Sequence, residues 1–262
     1  MNSSAVKPQT SPVNLLWTGG WDSTFRLIQL IIETDAIIQP VYIIDPERAS
    51  TLMEITTMNK IRHKIEEKFP GTGNRILPHN YYSRLDIPEV PELSNKLKAL
   101  KQESFIGRQY DFLSRLAYTQ QISGLELAIH VDDKAHYFIK NKVVKKQSPL
   151  IGEYFEMDED KPDESNASIF SYFRFPILNW SKVQMMKYAE EKEVLDIMMS
   201  TWFCHQPIAN HPCGICNPCK YSIEEGMKFR FGKAALMRNK LFPIFRVKNA
   251  VFRRLNNLIE SF

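Results

Sequence analysis

Two stretches hold residues whose types and spacing could do chemistry. The first is Thr18-Gly19-Gly20-Trp21-Asp22-Ser23-Thr24, which follows the apolar run Val13 to Trp17. Two glycines let a backbone approach a ligand without a Cβ in the way, and the helix that follows offers free N–H groups and the positive end of its dipole. That is the chemistry of a phosphate cradle, and Asp22 beside phosphates calls for a cation between them, hence Mg²⁺. A plain structural turn with Ser23 or Thr24 as an N-cap is the simpler alternative. The second stretch carries all four cysteines, Cys204, Cys213, Cys216 and Cys219, in the spacing Cys-x8-Cys-x2-Cys-x2-Cys. Four thiolates so close can close a tetrahedral shell around Zn²⁺, and tight Cys-x-x-Cys steps also serve iron–sulfur clusters. His205 and His211 lie within the stretch as further donors, better suited to support the ligands than to replace a thiolate.

Single residues elsewhere extend the first site. Asp45 ends the apolar run Ile37 to Ile44, where it could meet a ribose or a magnesium ion or simply form a turn with Pro46. Asp132 and Asp133 end the run Leu125 to Val131 in the same way and could hold a cation or an amine, or be ordinary loop residues. Arg108, at the start of a helix, can bind phosphate or carboxylate with two parallel N–H groups, or pair with a nearby acid. Lys182 falls in the first turn of a helix capped by Ser181, where the dipole disfavours a cation, so it is expected to face something anionic. His63 reads as solvated, His130 as packed within a strand, and His136 as a weak loop candidate.

The elements that must position these groups alternate. Apolar runs at Val13–Trp17, Ile37–Ile44, Arg75–His79, Leu125–Val131 and Phe170–Leu178 read as strands, with Tyr81 to Pro91 as a surface loop between the third and the following helix. Helical periodicity follows the Gly-Gly turn, recurs over Glu47 to Phe69, starts again near Ile106, and returns from Ser181 to Lys192 with Val183, Met186 and Ala189 inward. The expectation is an α/β domain with a parallel five-stranded sheet, helices on both faces, and a small C-terminal helical zinc-binding module. Its expected divisions are a loose tail over 1–12, a nucleotide domain over 13–200, and a cysteine module with a basic extension over 201–262.

Length and composition fit one main domain with an appendage: 262 residues, 44% hydrophobic, and a formal charge of +4 that is too small to argue nucleic-acid binding. The charge is unevenly spread. Glu153 to Glu164 is acidic, and Glu153 to Ser168 reads as a mobile loop that could close over a ligand or do nothing, whereas Lys228 to Arg254 contains no acidic residue. That basic stretch is interleaved with apolar residues including Phe242, Ile244 and Phe245, and could pack on the cysteine module, dock a partner or touch nucleic acid. No membrane span or signal core is evident, so a cytoplasmic protein is expected, and clustered cysteines in a reducing compartment favour metal over disulfides.

The order Thr-Gly-Gly-x-Asp-Ser-Thr resembles the loop of the PP-loop ATP pyrophosphatases, with threonine at Thr18 where serine is usual. Joined to Arg108, to Ser181-Lys182 and to the cysteine pattern after Thr201-Trp202, it is similar to the 7-cyano-7-deazaguanine synthase family over roughly Val13 to Phe231. The resemblance implies a PP-loop fold, ATP, magnesium and a structural zinc. Thr18, Gly19, Gly20, Asp22, Ser23 and Thr24 would hold ATP phosphates and Mg²⁺, Arg108 and Lys182 would face anionic groups, and the four cysteines would bind Zn²⁺. It further implies adenylation of a deazaguanine-type carboxylate with release of pyrophosphate, then attack by ammonia or an amine to give amide or nitrile, in a homodimer. The segment Asp132 to Tyr137 departs from the family's base-contacting segment. That departure leaves room for another acceptor, such as a protein amine in a bacterial defence system or tRNA, or for a non-catalytic nucleotide-binding module.

Overall fold

A computed structural model describes residues 11–158 and 165–242. The expected tail before Ser11 and the part of the basic stretch after Phe242 lie outside these residues. The chain divides into two compact units, one made of the segment up to Pro46 with Glu54–Thr201, the other of Glu47–Met53 with everything from Trp202 onward.

The first unit is built on β1 (Val13–Leu16), β2 (Ile38–Ile44), β3 (Asn80–Ser83), β4 (Leu125–Glu126), β5 (Val143–Ser148), β6 (Gly152–Met157) and β7 (Phe173–Phe175). They form one sheet in the order β3-β2-β1-β4-β7-β6-β5. β3, β2, β1, β4 and β7 run parallel, and the β5–β6 hairpin adds two antiparallel strands beside β7. Four of the five expected strands thus fall on parallel strands of a seven-stranded sheet, and the fifth parallel strand, β3, lies just after the expected third run. The hairpin corrects the reading of Glu153 as the start of an acidic loop: Glu153 and Glu156 are strand residues that pair with Lys145 and Lys146 on the neighbouring strand. Masking of the hairpin by its charges is the reason it was not evident, since neither strand has a clean apolar alternation.

Four helices flank the sheet: α1 (Trp21–Glu33), α2 (Thr51–Lys68), α3 (Pro91–Glu103) and α4 (Gln109–Thr119). The short α5 (His136–Ile139) follows β4, and α6 (Lys182–Glu191) and α7 (Leu195–Met198) follow β7. Leu93, Leu97, Leu100, Tyr110, Leu113 and Leu116 of α3 and α4 share a core with Val41, Ile43, Leu125 and Phe173 of the strands. Side chains alternate across a strand, so the buried Tyr42 points to the other face, where its hydroxyl donates to Glu54 of α2 at 2.8 Å. Helices thus cover both faces, as a parallel sheet requires.

Several boundaries differ from the sequence reading. The third strand is Asn80–Ser83, not 75–79, because 73–75 form a 3₁₀ turn from which the Arg75 guanidinium reaches back to the carbonyls of Leu30, Ile31, Thr34 and Ala36. Leu30 and Ile31 lie in the last turn of α1 and Thr34 is its C-cap, so Arg75, together with the Thr34 hydroxyl that donates to the Leu30 carbonyl, closes the end of the helix and ties it to the segment that follows. The expected loop from Tyr81 to Pro91 therefore contains β3, and α3 begins at its end. In α6 the buried residues are Met185 and Ala189, while Val183 is exposed, which rotates the expected apolar face by one position.

A buried ion pair ties the sheet to α1. Arg26 of α1 meets Glu126 of β4 through two bonds of 2.7 Å each, and also donates to the Ile151 carbonyl at the hairpin turn at 2.8 Å. Both side chains are almost fully buried, so their charges are balanced within the protein.

The second unit contains α8 (Asn217–Glu224), a 3₁₀ turn at Lys228–Arg230, and a helix over 233–242, here α9. Its core is Cys204, Cys213, Cys219, Phe231 and Ala235.

Candidate nucleotide site and cysteine centre

From β1 the chain passes through α1 to β2 on one side and on to β3, then returns through α3 and α4 to β4 on the other side of β1, so the carboxyl ends of β1 and β4 flank a switch point, where open α/β sheets form a ligand crevice. The Gly-Gly turn lies there. Gly19 has φ +69°, and a Cβ on it would stand 3.1 Å from Met58, 3.3 Å from Thr57 and 3.4 Å from the Glu54 carbonyl. Only glycine fits that backbone and that gap without strain. Gly20 is the N-cap of α1 and, having no side chain, leaves the first turn without a side-chain cap. The first bond of the helix is Thr24 N–H to the Gly20 carbonyl at 3.0 Å, so the N–H groups ahead of it lie outside the helix's own ladder.

The hydroxyls divide their work. Ser23 stays in the turn, accepting from the Thr18 N–H and donating to the Gly20 carbonyl, each at 3.5 Å. Thr24 is fully buried and accepts from the Trp17 indole N–H at 3.0 Å, so its side chain braces the turn from beneath. Asp22 is partly exposed, and its Oδ1 is a buried oxygen with no hydrogen-bond partner.

Around Asp22 the structure gathers Lys182, whose Nζ is 3.5 Å from Oδ1, and His130, whose Nε2 is 3.8 Å from Oδ2. Ser181 explains the placement of Lys182. It forms a capping box with Gln184, so α6 begins at Lys182 and its first turn carries the ammonium toward the carboxylate. Asp132 joins through His130: its N–H donates to Nδ1 at 3.2 Å and its own carboxylate is 3.8 Å from that nitrogen. Asp133, which the sequence offered with Asp132 as a cation or amine ligand, is the more enclosed of the two acids. It accepts from the Ala135 N–H at 2.7 Å and from the Tyr110 hydroxyl at 3.3 Å. Burial pushes its carboxyl above the usual range despite the Ala135 bond, and burial with the Asp133 charge pushes Tyr110 well up. His136 is shifted down, by burial first and Lys140 second.

Asp45 and Arg108 form a separate group at the carboxyl end of β2. Asp45 is buried and pairs with Arg84 at 2.9 Å and with the N-cap residue Arg108 at 3.6 Å. Arg84 gave no sequence signal, being one arginine in a stretch read as loop. Strand β4 is shorter than the run Leu125 to Val131, so His130, Asp132 and Asp133 sit on the segment beyond the strand rather than in it.

Asp22 fits a divalent cation: a carboxylate with one buried oxygen that makes no hydrogen bond and has the Lys182 ammonium 3.5 Å away, beside a turn that favours anions. The cysteine centre fits a tetrahedral ion. The four sulfurs lie within 4.8 Å of one another, with 3.8 Å between Cys213 and Cys219 and 3.9 Å between Cys204 and Cys216. A tetrahedron with Zn–S bonds of about 2.3 Å has edges of about 3.8 Å. Backbone N–H groups point at the sulfurs: Cys213 at Cys204 (3.2 Å), and Ile215 and Cys216 at Cys213 (3.4 and 3.3 Å). The neighbouring Cys204 and Cys219 sulfurs hold the Cys216 thiol well below the usual range, while Cys204 is pushed up to about 12, chiefly by Cys216.

Helix α9 completes this centre. Gly214 has φ +81°, and a Cβ on it would fall 2.1 Å from the Ala235 carbonyl oxygen, so the helix backbone lies directly on the Cys-x-x-Cys turn. Arg238 donates to the Cys213 carbonyl at 2.8 Å and Asn239 to the Gly214 carbonyl at 2.8 Å. The first part of the basic stretch thus packs on the cysteine module. His205 and His211 lie outside the ligating group.

Among the described residues no helix is long and apolar enough to cross a membrane. A scan against protein-family models gives no match. A search of curated proteins likewise gives none.

Proposed function

We propose that this chain is an ATP-dependent enzyme that joins a carboxylate, of deazaguanine type, to AMP with release of pyrophosphate, and then lets ammonia or an amine displace AMP. One observation carries the proposal. At the switch point between β1 and β4, a glycine turn leading into a helix N-terminus is combined with a carboxylate whose buried oxygen lacks a hydrogen bond and with the ammonium of Lys182.

In this reading the first-turn N–H groups of α1 and the Gly19-Gly20 backbone receive the phosphates. Asp22 would hold Mg²⁺, which when bound offsets the charge of the leaving pyrophosphate. Lys182 trades its contact with Asp22 for phosphate oxygens, and Arg108 offers its exposed guanidinium to an anionic group of ATP or substrate. Reaction depends on alignment and charge, so no side-chain nucleophile is needed. At the cysteine centre the proposal is Zn²⁺ with a structural role, because four sulfurs close the shell and leave no open position.

Purified protein given ATP, Mg²⁺, a carboxy-deazaguanine and ammonia is expected to release pyrophosphate. Asp22→Ala should lower that rate by about 100-fold or more, the usual loss when an electrostatic stabiliser is removed. ATP binding without pyrophosphate release for any carboxylate and amine tried, or an Asp22→Ala enzyme with an unchanged rate, overturns the reading.

A further inference from the structure

His130 is only 3% exposed, on the segment just beyond β4. An apolar side chain would fill such a place at no electrostatic cost, whereas a buried imidazole needs partners for both nitrogens. Nδ1 accepts from the Asp132 N–H, which leaves the neutral ring with its proton on Nε2. Nε2 faces Asp22 Oδ2 at 3.8 Å. The ring is held by its surroundings while the Asp22 side chain is 28% exposed, so closing this contact to hydrogen-bond length requires movement of the carboxylate alone.

We propose that His130 is the positioning residue of Asp22: its Nε2–H holds one carboxylate oxygen and so presents the other, Oδ1, to a divalent cation. The proposal rests on reading the Gly-Gly turn as an ATP and magnesium site. His130 does not touch the reacting atoms. It acts through Asp22, as outer partners of metal ligands do, where their loss costs 10- to 100-fold in metal affinity, by about that order.

The test is Mn²⁺ binding to the full chain, read from the free-ion signal in electron paramagnetic resonance, with an ATP analogue bearing a methylene group between the α and β phosphates. His130→Leu should weaken Mn²⁺ binding about tenfold. His130→Gln, which places an N–H near the position of Nε2, should restore most of it. The thermal midpoint and metal content of the cysteine centre serve as folding controls in each variant. Asp22→Ala separates the two claims. If Asp22→Ala abolishes binding while a folded His130→Leu binds as wild type does, the role of His130 is refuted and the site stands. If Leu and Gln variants lose affinity equally, His130 only fills space and the inference fails. Unchanged binding in Asp22→Ala overturns the site itself.

Discussion

At the scale of single residues, the aromatic ladder beside the turn has a measurable acid–base consequence. His79 lies stacked between Trp17 and Tyr81, with ring centroids 5.1 and 5.3 Å away, and its Nε2 is buried without a hydrogen bond. Burial, then the nearby Arg62 charge, lowers its pKa to about 4. The unfolded chain binds this proton near pH 6.5, so native stability is complete above that value and declines as pH falls from about 6.5 to about 4. Urea midpoints measured across that window should fall in wild type and fall less in His79→Phe. The sequence disclosed the residues of the Gly-Gly turn because their types are rare together. It did not disclose His79, and it offered His130 only as a packed strand residue, because their roles depend on burial and on partners far apart in the chain.

At the scale of elements, the Arg26–Glu126 pair sets how α1 meets β4, and hence how the turn ahead of α1 faces the segment that carries His130. Removing one charge leaves the other buried and unpaired. Glu126→Ala should cost about 3–5 kcal/mol of stability, whereas Arg26→Met combined with Glu126→Leu should cost far less, because burying a pair is nearly balanced by an apolar replacement. Chemical denaturation of the three proteins tests this. The pair also shows where sequence reading stops. Both residues occur in segments correctly read as a helix and a strand, yet apolar periodicity says nothing of a charged pair crossing between them. The β5–β6 hairpin escaped for a related reason: its lysines and glutamates, taken alone, look like solvated loop.

At the scale of the whole molecule, the α/β alternation and four of its parallel strands were legible because buried strands announce themselves as apolar runs, whereas β3, half-buried to exposed, did not. The cysteine unit was legible from spacing alone. What spacing could not supply was the contribution of α9, read as one of several fates for a basic stretch. Chelation should now separate the two units in behaviour. Removing the ion from the cysteine centre is expected to unfold the second unit, with loss of its share of helical circular dichroism, and stoichiometric zinc should be found in the intact protein. Iron with visible absorbance would refute the zinc assignment.

The contact between Gly214 and the Ala235 carbonyl also has a temporal meaning. The four cysteines precede α9 in the chain, so during synthesis they emerge as a flexible, reactive set of thiols before the helix that covers their turn exists. Ion capture can begin then, but the site becomes enclosed only once 233–242 has folded onto it. The interval between those events is when the thiols are most open to oxidation, so on the zinc proposal metal supply during translation would decide how much of the second unit reaches its folded form.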